Sequence, residues 1–122
     1  MTSLVDRYGR RITRLRLAVS DRCNFTCFYC RPPSGLPARR ARLLSADEIA
    51  ALAEAAIACG IESIRLTGGE PLLREDLQEI ICRLSHLAPN LDIALTTNGW
   101  LLADQAERLA EAGLKRVNVS LD

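Results

Sequence analysis

Ser45-Ala46-Asp47-Glu48 at one end and Gly60-Ile61-Glu62-Ser63-Ile64-Arg65-Leu66-Thr67 at the other bracket the stretch whose reading decides the fold. A serine followed three residues later by glutamate is a capping box, because the Ser45 oxygen and the Glu48 carboxylate can each satisfy a free backbone donor at a helix start. Ile49, Leu52, Ala53, Ala56 and Ile57 then fall on one face at helical spacing, and Gly60 stands where a left-handed terminator wants no Cβ. Ile61 to Thr67 reads as a strand. The unit is helix, tight turn, strand.

The alternation continues in both directions. Before it, Thr13-Arg14-Leu15-Arg16-Leu17-Ala18-Val19 alternates polar and apolar residues and then turns wholly apolar, which predicts a first strand. Pro32, Pro33, Gly35 and Pro37 make the connection that follows a loop. Further on, Leu77, Ile80, Ile81 and Leu84 mark a second helix, and Leu91 to Thr97 a third strand. Leu102, Ala106, Leu109 and Ala110 mark a third helix closed by Gly113, and Leu114 to Leu121 supplies a fourth strand. The order β-α-β-α-β-α-β with short connections implies an α/β fold, a parallel sheet, right-handed crossovers and functional loops at the C-terminal strand ends. Gly68-Gly69-Glu70-Pro71, Thr96-Thr97-Asn98-Gly99 and Ser120-Leu121-Asp122 all lie at such ends.

So do three cysteines. Cys23, Cys27 and Cys30 form C-x3-C-x2-C directly after the first strand. Thiolates are the metal-binding form, and three on one short loop suit three irons of a cubane cluster while the fourth iron lacks a protein ligand. A closed zinc site wants four ligands, usually as two pairs, and neither Cys59, Cys82 nor His86 stands at pair spacing. Zinc on the three sulfurs, or free thiols, are the alternatives. Cys59 and Cys82 read as small buried hydrophobes within helices, and His86 as a residue near a helix C-terminus, where the dipole favours its charged form. Gly68 and Gly69 let the backbone approach a small molecule closely, and Pro71 restricts Glu70 to an extended conformation.

Composition bounds the rest. The 122 residues, 48% hydrophobic and 25% charged, suit one domain with a core. No run approaches the roughly 20 apolar residues of a membrane span, and the first residues lack the apolar core of a secretory signal. Five cysteines are an odd number, which argues for a reducing, cytoplasmic setting and against a disulfide framework. Charge is asymmetric along the chain: residues 1 to 42 carry ten arginines against two aspartates, a balance of +8, and the remainder six Lys/Arg against thirteen Asp/Glu, −7. An anionic small molecule near the cysteines explains this, as does a solvated basic arm. A nucleic-acid partner is disfavoured, because no aromatic residues interleave the basic run.

A C-x3-C-x2-C loop after the first strand, with Gly68-Gly69-Glu70-Pro71 after the second, resembles the radical S-adenosylmethionine superfamily. More narrowly, four strings are similar to the GTP 3′,8-cyclase family, which initiates molybdenum cofactor synthesis. They are Leu15 to Phe25, Ile64 to Arg74, Thr96 to Gly99, and Arg116 to Asp122. The resemblance implies a [4Fe-4S] cluster on Cys23, Cys27 and Cys30 whose open iron binds the amino and carboxylate groups of S-adenosylmethionine. It further implies a 5′-deoxyadenosyl radical that takes hydrogen from C3′ of GTP, after which the carbon radical attacks C8 of guanine. Tyr29, Gly68, Gly69, Glu70 and Ser120 match the cofactor-binding loops, and Arg16, Arg65 and Thr96 match GTP-contacting positions. An electron donor and a homodimer of the full-length enzyme are also implied, and no catalytic side chain is assigned.

The same resemblance makes residues 1–122 the first four strands of a partial (β/α)6 TIM-like barrel. The family's C-terminal region, with three more cysteines and a second cluster, is absent from these residues. The fourth strand ends without a following helix, so the expectation is the N-terminal part of a longer enzyme. Arg31 and Ser63 depart from the family pattern, Ser63 removing a plausible phosphate contact. Another radical enzyme, such as a peptide-modifying maturase, and a noncatalytic iron-sulfur or zinc module are the competing readings.

Overall fold

The computed structural model describes residues 4–20 and 43–120. Four strands alternate with three helices: β1 (Arg14–Ser20), α1 (Ala46–Ala58), β2 (Ser63–Gly68), α2 (Leu77–Leu87), β3 (Asp92–Thr97), α3 (Leu102–Ala112) and β4 (Arg116–Val119), with a 3-10 turn over Pro71–Leu73. Every pairing is parallel and the order in space is the order in sequence, β1-β2-β3-β4. Crossovers of one hand, all taken in one direction, place every helix on the same face of the sheet. The result is an open α/β sheet of the expected class, with one face covered.

Burial follows from that arrangement. Leu17, Val19, Ile64, Leu66, Ile93 and Leu95 point from the sheet into the helices, where Ile49, Ala53, Leu77, Ile80, Ile81, Leu84 and Leu109 meet them. Each large apolar side chain so buried contributes roughly 1.5–3 kcal/mol. α1 starts as its sequence dictates. Ser45 Oγ accepts from Glu48 N at 3.1 Å, and Glu48 Oε1 accepts from Ser45 N at 3.0 Å. Gly60 and Gly113 carry φ of +101° and +122° just beyond the ends of α1 and α3.

Three details differ from the sequence reading. Leu52 is 42% exposed, because α1 packs on α2 along one side only and its buried stripe narrows to Ile49 and Ala53. On α3, Ala106 and Ala110 face solvent and Ala112 is buried, because the inward stripe includes half-buried Gln105. Its Nε2 donates to Leu72 O at 3.0 Å, so a polar residue occupies a place the hydrophobic pattern gave to alanine. Cys59 lies just past the end of α1, and both it and Cys82 are half-buried rather than core residues.

Before β1 the chain folds back on itself through a Val5–Arg11 bridge and docks by Leu4 N on Cys59 O at 3.2 Å. The Asp6 carboxylate accepts from the backbone of Arg10 and Tyr8 and from Arg10 Nε, which holds its pKa below 3.8. Arg7 and Arg10 stack over Tyr8. Part of the basic arm is therefore a structured turn with its own counter-charge. Among the described residues no helix is long and apolar enough to cross a membrane.

Candidate functional site

The face of the sheet away from the helices, which no other described element covers, is polar. Strand alternation that sends leucines and isoleucines to the helices sends Arg14 and Arg16, Ser63, Arg65 and Thr67, Thr96, Arg116 and Asn118 the other way. Register aligns them in rows: Arg16 lies opposite Arg65, then come Ala94 and Arg116, while Thr96 lies opposite Asn118. Adjacent like charges across a sheet are destabilising unless something lies between or over them. Arg116 is neutralised by Asp92, to which its guanidinium binds through Nη2 and, at 3.2 Å, through Nε. Arg65 faces a neutral group: with the Asn118 amide oriented by its hydrogen bonding, so that oxygen rather than nitrogen meets the guanidinium, that oxygen accepts from both Nη atoms at 3.1 Å. Among the described residues neither Arg16 nor Arg65 meets a carboxylate. Thr96 Oγ1 is buried there without a hydrogen-bond partner. Buried hydroxyls rarely stay unmatched, so this one is open to water or to a ligand group.

At the C-terminal edge of that face, the loop after β2 binds the strand ends together. Gly68 has φ +139°, and a Cβ there would stand 2.3 Å from Ser20 O, so only glycine lets β2 leave the sheet against β1. Gly69 N donates to the same Ser20 O at 2.9 Å. Next comes Glu70, wholly buried: its Oε2 accepts from Leu72 N at 2.9 Å and Thr97 Oγ1 at 2.7 Å, and its Oε1 accepts from Asn98 N at 2.7 Å. A buried carboxylate is tolerable only when donors surround it in this way. The two motifs read separately from sequence, Gly-Gly-Glu-Pro and Thr-Thr-Asn-Gly, are thus two halves of one hydrogen-bond network. Gly99 N extends it to Thr97 Oγ1 at 3.1 Å, and Trp100 N closes a turn on Asn98 Oδ1 at 3.0 Å.

Arg74 ends the loop. Its side chain, 11% exposed, donates through Nη1 to Val19 O at 3.0 Å, through Nη2 to Leu44 O at 2.7 Å, and through Nε to Asp76 Oδ1 at 2.6 Å. The Arg74 hydrogen bond and charge hold the Asp76 carboxyl below its usual 3.8.

The structure brings Arg16, Arg65 and Thr96 onto one face, and Gly68, Gly69 and Ser120 to its rim, where Ser120 N donates to Thr97 O at 2.8 Å. Glu70 lies beneath the rim with its carboxylate turned inward. Cys23, Cys27, Cys30, Tyr29 and Arg31 lie outside the described residues, and among those described no group of three His, Cys, Asp or Glu is placed to hold a metal. Sequence reasoning did not single out Arg74, Thr97 or Asn118. The available signal for Arg74 was an arginine two residues before an aspartate at a helix start, which is weak. Among the described residues a cavity of about 300 Å³ lies between the 3-10 turn, α2 and α3.

A parallel sheet wound in one direction, with loops gathered at its C-terminal edge, is the architecture of barrel-type α/β enzymes. The profile of the Radical SAM superfamily matches residues 17–122, and the chain belongs to that superfamily. It is 50% identical over 120 residues to the GTP 3′,8-cyclase of Campylobacter jejuni, a match covering 98% of this chain and 38% of that protein. The GTP 3′,8-cyclases of Peptoclostridium acidaminophilum and Pelotomaculum thermopropionicum are 48% and 50% identical over 120 and 118 residues. These matches cover 98% and 96% of this chain and 37% and 36% of those proteins. The chain thus spans little more than a third of the length of these relatives. Among solved structures, BtrN in complex with AdoMet and 2-DOIA superposes with a TM-score of 0.71 at 22% identity, over 98% of this chain and 46% of that one. That likeness shows the shared fold.

Proposed function

We propose that residues 1–122 form the N-terminal part of the radical SAM core of a cytoplasmic GTP 3′,8-cyclase, holding a [4Fe-4S] cluster, S-adenosylmethionine and part of the GTP. The observation that carries the substrate half of this reading is the in-register pair Arg16 and Arg65 on the open face, neither matched by a carboxylate among the described residues. Two guanidinium groups side by side suit phosphate or purine acceptors, and the relatives named for GTP give that anion its identity. Asn118 supports the pair, its amide oxygen accepting from the Arg65 fork when oriented toward it. The unmatched Thr96 hydroxyl is a further point for a ligand to bind.

For the cofactor, three thiolates from Cys23, Cys27 and Cys30 are the donor set a cubane with one open iron requires. When bound, the cluster and S-adenosylmethionine supply the radical chemistry, and the chain supplies position. Exposed Gly68 and Gly69 offer backbone groups at the rim, with Tyr29 and Ser120 completing the contacts. Glu70 acts through its three inward hydrogen bonds, which fix the glycine backbone above it. The remaining cyclase machinery, the electron donor and any dimer contacts belong to the enzyme as a whole.

The test is anaerobic reconstitution with iron and sulfide, followed by measurement of 5′-deoxyadenosine formed from S-adenosylmethionine under a strong reductant, with and without GTP. Cleavage stimulated by GTP, with the stimulation lost in Arg16→Ala and Arg65→Ala, is the expected result. Cleavage indifferent to GTP points to a sister enzyme, and metal uptake without cleavage to a binding module.

A further inference from the structure

We propose that Arg74 is a positioning residue that sets the distance between the two feet of the cysteine segment and so holds the cluster ligands together. Residues 21–42, which carry Cys23, Cys27 and Cys30, leave the described structure at Ser20 and re-enter it at Leu43. Val19 O, at the departing foot, and Leu44 O, at the returning foot, are bonded by the two Nη atoms of one guanidinium, at 3.0 and 2.7 Å. Asp76 takes the Nε side of the same group at 2.6 Å and a second bond from Nη2 at 3.5 Å, so the fork cannot swing away from either carbonyl. The 3-10 turn, whose Pro71 O accepts from Arg74 N at 3.0 Å, seats the residue on the loop that Glu70 anchors. One side chain therefore couples the departing foot, the returning foot and the glycine rim.

The physical advantage is entropic. A tethered segment must give up conformational freedom to bring three thiolates to one cluster, and fixing both of its ends lowers that cost before the iron arrives. Only a planar, always-charged fork reaches acceptors in three directions. A lysine ammonium also has three donors, but all on one atom, so it cannot match the spread of the fork across Val19 O, Leu44 O and Asp76. This inference rests on the reading of the three cysteines as cluster ligands.

The experiment compares the chain at its full encoded length, reconstituted without oxygen, as wild type, Arg74→Lys, Asp76→Asn and Arg83→Gln. Cluster loss to an iron chelator is followed by the decay of visible absorption, at a temperature where circular dichroism shows each protein folded. Arg83 is the control, since it forms an exposed ion pair with Asp47 and touches neither foot. Arg74→Lys should release iron about tenfold faster, the factor expected for losing one charge-assisted bond to either foot. Asp76→Asn, which keeps the guanidinium but loosens it, should release a few-fold faster, and Arg83→Gln at the wild-type rate. If Arg74→Lys does not fold, Asp76→Asn decides. Release at the wild-type rate from the decisive variant, or equal acceleration in Arg83→Gln, overturns the role given to Arg74 while leaving the cluster reading intact. A wild-type protein that assembles no cubane overturns both.

Discussion

Between Gly68 and Asp76 one carboxylate gathers three donors and one guanidinium bonds both feet of a distant segment, whereas along β4 every side chain is exposed and Val117 and Val119 have no helix over them among the described residues. Both regions sit on the same sheet, paired in the same parallel sense. The difference lies in what each does with its side chains. The loop fixes geometry with buried polar groups, which are costly to leave unmatched, and β4 is held by backbone pairing to β3 and by exposed contacts such as Arg116 to Asp92.

That contrast can be broken by substitution. Glu70→Ala leaves the Thr97 hydroxyl and the Leu72 and Asn98 amides without their acceptor. The expected loss is about 3–5 kcal/mol, read as a lower urea midpoint at unchanged slope, with Glu70→Gln costing about half as much. Next comes Gly68→Ala, where φ +139° and a Cβ 2.3 Å from Ser20 O force the strand end to move. Roughly 2–3 kcal/mol is expected in the same assay.

A smaller effect is expected at Asp76 and appears on acidification. Its folded-state pKa lies below 3.8, mainly through the Arg74 hydrogen bond. The stabilisation is therefore complete above that value and is lost as pH falls through the lower folded value. Asp76→Asn should give a thermal midpoint that declines less steeply than wild type below pH 4. The smallest effect belongs to β4, where Val117→Thr on the 37% exposed site should change stability by less than about 0.5 kcal/mol. A cost there comparable to that of Glu70→Ala would erase the distinction between the two regions.

What the sequence made legible was everything carried by local chemistry. The Ser45–Glu48 box, the glycines past α1 and α3, and the alternation on the strands each report their own backbone, and each reappears in the structure. The α/β order and the parallel sheet follow from them. Partners separated along the chain did not show. Glu70 and Thr97 are neighbours only because β2 pairs with β3, and the acceptors of Arg74 are carbonyls, which every residue possesses and no motif marks. Gln105 on the inward stripe of α3 escaped for the same reason, since its partner is a backbone oxygen on the 3-10 turn. The candidate site divides likewise: Arg16, Arg65 and Thr96 were identifiable from the motif strings, while the register that sets Arg16 beside Arg65 and the Asn118 amide that holds the latter came from the fold.

The strand order β1-β2-β3-β4 carries a consequence for biosynthesis. Each strand finds its neighbour in the segment translated just before it, so the sheet can grow outward as the polypeptide leaves the ribosome. Glu70, however, emerges well ahead of Thr97 and Asn98, and its carboxylate must remain hydrated until β3 docks. The nascent first half of the sheet is thus assembled unlatched, and the arrival of the third strand is the moment at which it locks.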